Sequence, residues 1–147
     1  MVLLAKDIMD TSFLTLDGES DALSCAQTMV ARHKGYTVVT AGGPSKVAGI
    51  VTEWDYLEKI VAAGVDPARV KLKDLASPNL HACSPDTPTD EVVTMMANLG
   101  IRRVVVRKGE SVVGVITAKN VLAIFRQYID KVSSEIAGFQ SSQTPLG

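Results

Sequence analysis

Apolar and polar positions along this chain fall into two rhythms, and one succession of rhythms runs through it twice. Segments 36–40 and 47–52, then 101–107 and 112–117, are short β-branched runs that read as strands. Extended stretches at 13–16 and 80–83 precede them. Between lie segments of helical spacing, with Ala26 and Met29 on one face in the first and Val92 and Met95 in the second. Lys6-Asp7-Ile8-Met9 returns as Lys73-Asp74-Leu75-Ala76, and the repeat offsets stay between 65 and 67 residues. The order β-α-β-β-α therefore occurs twice. The predicted fold is α+β with α/β-type layers, its repeats at 1–66 and 67–138. Segment 139–147 is expected to be a disordered tail, polar from Ser141 on.

Element ends fit this reading. Asp21 or Ser20 caps the first helix; Thr87 caps the second, with Pro88 at its first position and Asp90 three residues after the cap. Gly35 and Gly100 suit the left-handed residue that closes a helix. After Asp55, the positions Leu57, Ile60 and Val61 continue a helix to Gly64, and Asp66-Pro67 turns the chain. The link from Gly64 to Leu72 is short, which favours two halves packed together. The last helix runs from Thr117 to about Ile136. Val121, Phe125, Tyr128, Val132 and Ile136 share one of its faces, which serves either the core or a partner subunit.

Composition narrows the function classes. Of 147 residues, 46% are hydrophobic and 21% charged, ample for a globular core, and the net charge of −1 indicates no nucleic-acid partner. No apolar run reaches membrane-spanning length and no leader segment is evident, so a cytoplasmic location is expected. Cys25 and Cys83 fall in apolar settings; with only His33 and His81 to join them, no metal site is expected.

The chemistry concentrates at two strand–helix junctions. Val47-Ala48-Gly49-Ile50-Val51-Thr52-Glu53-Trp54-Asp55 is echoed 65 residues later by Val112-Val113-Gly114-Val115-Ile116-Thr117-Ala118-Lys119-Asn120. A strand that empties into a helix start gathers free N–H groups, a hydroxyl and a carboxylate or amide, a setting for a small polar ligand. Thr-x-x-Asp is also an ordinary capping arrangement, and capping and binding can coexist. Trp54 either shields such a site or simply packs.

With both repeats ending in Gly-(Ile/Val)-x-Thr-x-x-(Asp/Asn), with Lys6-Asp7-Ile8-Met9 at the start and Gly100-Ile101-Arg102-Arg103-Val104-Val105-Val106 before the second signature, the chain resembles a tandem pair of cystathionine-β-synthase (CBS) domains, the Bateman module. The resemblance covers roughly residues 5–126. It implies a pseudo-twofold pair with two clefts between the repeats, an adenosine-containing ligand (AMP, ADP, ATP or S-adenosylmethionine), and a homodimer. By the same resemblance, Ser77, Leu80, His81 and Ala82 would hold the base in one cleft, with Ile50, Thr52 and Asp55 at the sugar and phosphate. Thr11, Phe13, Leu14, Thr15 and Thr37 would face Thr117 and Asn120 in the other.

Arg102 and Arg103 stand where the family supplies cations to phosphate. As strand neighbours they point to opposite faces, so each is expected to serve a different cleft. The first repeat has Thr37-Val38 at the matching place, and the Asp55 cleft is expected to bind more tightly. No nucleophile with a linked base, Gly-rich phosphate loop or metal-ligand cluster supports catalysis. The expectation is a regulatory ligand-binding module, without a catalytic cofactor, that acts on a separate effector protein. A structural adaptor homodimer with no physiological nucleotide is the alternative.

Overall fold

The computed structural model describes residues 3–78 and 80–143, with side chains to residue 139. Each half builds a three-stranded sheet. In the first, β1 (Thr15–Asp17) runs parallel to β2 (Tyr36–Thr40), which pairs antiparallel with β3 (Val47–Thr52). In the second, β4 (Ala82–Cys83), β5 (Arg103–Lys108) and β6 (Ser111–Thr117) repeat that order and sense. Even the bulge recurs, between Val39 and Thr40 and between Val106 and Arg107. The α+β architecture is as expected from the two rhythms.

Alternation along β2 and β5 decides which residues meet across the halves. Val39 faces its own half's core, with Thr37 against the Cys25 thiol, while Val104 and Val106 face the other core. Tyr36 and Val38 point the other way and pack with Val115 between the halves. The helices α2 (Ala22–Ala31) and α5 (Thr89–Leu99) cover the core faces through Cys25 and Met29, and through Val92 and Met96.

The short helices that open each repeat are exchanged. In α1 (Ala5–Ile8), Ala5 and Ile8 are buried in the core of the second half. In α4 (Leu72–Leu75), Leu72 and Leu75 are buried in the core of the first. Backbone bonds follow the exchange: Ala5 N donates to Thr87 O at 2.8 Å, and Ala22 N to Val70 O at 2.8 Å.

Three local expectations are corrected. The αL residue that ends α2 is His33 (φ 52), not Gly35; histidine tolerates that conformation, and Lys34 N closes the turn onto Met29 O. Gly100 (φ 63) does close α5. A Cβ at Gly35 would meet only the far ends of the Glu53 and Arg103 side chains, which lie against it. Helix α5 starts at Thr89 with Pro88 at the cap, because Thr89 is held by Leu3 O while the Thr87 hydroxyl accepts from Ser84 N at 3.0 Å.

The final helix α6 (Ala118–Gln143) is longer than expected and takes in residues 139–143 of the anticipated tail; 144–147 lie outside the described residues. Only part of its apolar face reaches the core. Val121 and Ile124 pack there, whereas Leu122, Phe125, Tyr128, Ile129 and Ile136 are exposed.

Candidate functional site

The first signature folds as a strand running into a helix. β3 ends at Thr52, and α3 (Glu53–Tyr56) follows, continued by a π-helical turn at Leu57–Val61. Asp55 is 8% exposed and turns back on the junction. Its Oδ2 accepts from Thr52 N at 2.8 Å and from the Thr52 hydroxyl at 3.1 Å, while its Oδ1 lies 3.2 Å from Lys59 Nζ. Lys59 also donates to Leu75 O at 3.0 Å, which ties the junction to the exchanged helix α4. Lys59 escaped the sequence reading, although its i+4 spacing from Asp55 was the available signal.

Ser77 then joins the edge of β3 through reciprocal backbone bonds with Ile50, at 3.0 and 3.2 Å. This close approach requires Gly49, where a Cβ would sit 2.6 Å from Ser77 O. The chain that leaves Ser77 crosses to the second half and, with β5, closes a cleft of about 770 Å³. Ile50, Thr52, Asp55, Ser77, Leu80 and His81 all line it. Arg102 and Arg103 both line this one cleft. The expectation of one arginine per cleft does not hold, because Arg102 lies at the β5 lead-in, where its carbonyl accepts from Ala118 N, ahead of the strict alternation.

Ala82 is outside the lining; it pairs with Val105 in β4. Glu53, Gly100, Ile101 and Val105 line the cleft without having been singled out for it. Trp54 also lines it and is 65% exposed, so its ring forms part of the wall and the rim.

Charge is concentrated at the Arg103 end. Arg103 Nη2 lies 3.4 Å from Glu53 Oε1, and its guanidinium carbon is 5.5 Å from the centre of the Tyr36 ring. Its Nε is buried without a hydrogen-bond partner. This cation is therefore held loosely enough to be recruited by an anion entering the cleft.

The second junction repeats the backbone of the first with different chemistry. Asn120 Oδ1 accepts from Thr117 N at 2.8 Å and Asn120 N donates to the Thr117 hydroxyl at 3.1 Å, a neutral version of the Asp55 cap. Of the residues expected opposite, Thr11 and Thr15 are exposed and Phe13 packs on the Tyr36–Val38–Val115 cluster. Leu14 and Thr37 are buried in the first half, Leu14 within its core and Thr37 against the Cys25 thiol at 3.5 Å, which corrects their assignment to a cleft.

The strand registers also correct the match of Thr37-Val38 with Arg102-Arg103. Tyr36 pairs with Thr52 as Arg103 pairs with Thr117, so Tyr36 is the counterpart of Arg103 and Gly35 of Arg102. Asp10, bonded to Val115, likewise corresponds to Ser77. The Asp10 carboxylate binds Lys34 Nζ at 2.8 Å, the Tyr36 hydroxyl at 3.0 Å, and both Ser12 N and Ser12 Oγ. Burial acts to raise its pKa, but these bonds, Lys34 foremost, prevail and hold it at about 2. Burial and that same carboxylate push the Tyr36 phenol well above its usual range. Sequence patterning gave no sign of this cluster, whose members are 26 residues apart at most and meet only through the exchange of α1.

Among the described residues, no three His, Cys, Asp or Glu side chains gather to hold a metal ion, and no helix is long and apolar enough to cross a membrane. The CBS domain family matches residues 5–62 and 72–126. Hypoxic response protein 1 of Mycobacterium tuberculosis is 26% identical over 117 residues, covering 80% of this chain and 81% of that protein. The mitochondrial CBS domain-containing protein CBSX3 of Arabidopsis thaliana is 25% identical over 136 residues, 88% of this chain and 66% of that protein. Among solved structures, the CBS domain pair of protein MJ0100, in complex with 5′-methylthioadenosine and S-adenosyl-L-methionine, superposes with a TM-score of 0.77 at 22% identity, covering 87% of this chain and 99% of that one. Two family matches in one chain, in the order of the two halves that the fold interlocks, make this protein a member of the CBS domain family, built as a tandem pair.

Proposed function

We propose that this CBS pair is a regulatory module whose Asp55 cleft binds an adenosine-containing metabolite: AMP, ADP, ATP or S-adenosylmethionine. The observation that carries the reading is the make-up of one cleft. Apolar walls from Ile50, Leu80, Ile101 and Val105 suit a flat base, and two carboxylates, Asp55 and Glu53, and two guanidinium groups are within the same space. Asp55 keeps acceptor capacity beyond its bonds to Thr52 and Lys59, so a ribose diol has a place to donate. A ligand phosphate would take Arg103 from Glu53, exchanging a weak 3.4 Å pair for a charge-assisted one. The bound adenosine compounds of the MJ0100 domain pair support the same ligand class.

Regulation follows from where the cleft lies. Its two walls come from different halves, so a ligand that touches both favours one setting of the halves, and an effector protein reads that setting. A cytoplasmic location fits such a sensor.

A thermal-melting series with AMP, ADP, ATP and S-adenosylmethionine tests the proposal. A ligand at a hundredfold excess over its Kd adds about 2.7 kcal/mol of stability. The expected result is a raised Tm with at least one of the four, abolished in Asp55→Asn. No shift with any of them would favour an adaptor without a nucleotide, a reading supported by the internal Lys34–Asp10–Tyr36 bonds at the second junction.

A further inference from the structure

Matching residues at the outer ends of the two sheets have diverged in charge. Backbone bonds fix the correspondence: Lys73 N donates to Gly18 O at 3.0 Å and Lys6 N to Pro85 O at 2.9 Å, so Pro85 stands at the place of Gly18 and Asp86 at that of Glu19. In the strand beside them the shared bulge matches Arg107 with Thr40, and Lys108 with Ala41. The first half closes this end with its own atoms. Gly18 N donates to Thr40 O at 2.8 Å, Asp17 pairs with Thr40 in the sheet, and Glu19 takes both Lys71 at 2.6 Å and Lys73 at 2.8 Å. In the second half Pro85 has no N–H to give, and β4 stops at Cys83, one pair short of β1. Pairing ends there, beside a cleft of about 490 Å³ lined by Lys6, Ser84, Pro85, Asp86, Arg107 and Lys108.

Three cations share that cleft with one carboxylate, and the cations are weakly held. Lys6 Nζ is 3.1 Å from Asp86 Oδ1, but the two side chains are 50% and 76% exposed, so water screens the pair. Among the described residues, neither Arg107 nor Lys108 has an ion-pair partner. Arg107 Nε is also buried without a hydrogen-bond acceptor, a deficit that native interiors rarely leave. The Ser84 hydroxyl, 3.1 Å from Thr87 Oγ1, has its own proton to donate when Thr87 is the donor of that pair.

We propose that this cleft is a second ligand site and that it takes a phosphate group, free or as the monoester of a small molecule. A doubly charged group with several acceptor oxygens answers the unpartnered guanidinium, the two lysines and the hydroxyl together. Arg107 supplies the planar fork that matches phosphate oxygens, and Lys6 and Lys108 act as flanking point charges. Lys6 belongs to the exchanged helix α1, so an anion held here also bridges the two repeats. The site stands at the opposite end of β5 from Arg103, about 17 Å away at roughly 3.3 Å per residue. It is separate from the Asp55 cleft and does not rest on the nucleotide reading.

NMR of the nitrogen-labelled chain tests this residue by residue, with inorganic phosphate titrated near neutral pH against sodium chloride at matched ionic strength. Phosphate should shift the Arg107 Nε–H signal and the Lys108 and Gly109 amides saturably, and chloride should not. Arg107→Met, which keeps the apolar stem, should weaken phosphate at this end at least about 10-fold. Lys108→Glu reverses a charge at an exposed position and should weaken it as much, which covers the case of a misfolded Arg107 variant. Signals of Gly100 and Arg102 report phosphate in the Asp55 cleft separately and should not respond to either variant. Glycerol phosphate distinguishes the sources: tighter binding than phosphate would identify a phosphorylated small molecule, and equal binding the phosphate group alone, both upholding the site. Shifts that never saturate or that chloride reproduces would overturn it, as would an affinity unchanged in the folded variants.

Discussion

The guanidinium carbon of Arg103 lies 5.5 Å from the centre of the Tyr36 ring, and these two residues occupy equivalent places in the two halves. Had the repeats stayed identical here, like would face like: two arginines would repel across the pseudo-twofold axis, and two tyrosines would leave the cleft without this cation. Divergence makes the contact attractive. It also joins two polar clusters. Tyr36 donates to Asp10, which is paired with Lys34, and Arg103 reaches Glu53 in the Asp55 cleft.

Arg103→Met should therefore separate phosphate from nucleoside recognition. Loss of a charge-assisted bond worth about 1.5–3 kcal/mol should weaken AMP binding roughly 10- to 100-fold. Adenosine, which has no phosphate, should bind almost as before. Calorimetric titration of both ligands makes the comparison, and equal losses for the two would remove the phosphate role.

Asp55 serves the fold as well as the cleft. Asp55→Ala removes the acceptor for Thr52 N and should cost about 1 kcal/mol in urea unfolding without ligand. Asp55→Asn keeps an acceptor and should cost less. If Ala and Asn were equally stable, the cap would contribute nothing measurable.

Asp10 makes stability depend on acid. Its pKa is lowered from 3.8 to about 2 in the folded protein, so its contribution is complete above pH 3.8 and disappears as pH falls through about 2. Asp10→Asn should lower stability at neutral pH and flatten the profile between pH 4 and 2. An unchanged acid limb would show that the Lys34 and Tyr36 bonds carry no net stability.

Two signature glycines should differ on substitution. A Cβ at Gly49 meets the backbone of Ser77 at 2.6 Å, and backbone cannot yield without breaking the Ile50–Ser77 pairing. Gly49→Ala should cost about 1–3 kcal/mol. A Cβ at Gly114 meets Met9 at Sδ, Cγ and Cβ; the first two can swing aside, leaving a 2.9 Å contact with Met9 Cβ instead of a clash with backbone, so Gly114→Ala should cost less. Chemical denaturation of both variants would expose the reverse order if Met9 is the more rigid neighbour.

The exchanged helices should make the two halves unfold together. Leu72→Ala empties a fully buried site in the first core from a residue of the second repeat, and should cost about 2–5 kcal/mol. A single calorimetric transition is expected for both wild type and variant. Two resolved transitions would mean that the halves are independent.

The sequence by itself was enough for the duplication and the order of elements along the chain, because each rests on information local to the chain. Strand and helix periods are properties of neighbouring residues, and a repeat shows itself by recurring. Thr52 and Asp55 stand out by their recurrence as Thr117 and Asn120, whereas Ser77, Leu80 and His81, which line the same cleft, were brought beside them only by the family resemblance. Tertiary structure decided what depends on facing directions and distant partners. The parity of β2 turned Thr37 toward Cys25 and Tyr36 toward Arg103, a one-residue difference that periodicity could not place. The exchange of α1 and α4 brought Asp10 to Lys34 and Tyr36, and Lys59 to the carbonyl of Leu75. Which side of a strand is interior is set by what packs on it, and here the packing is supplied by the other repeat.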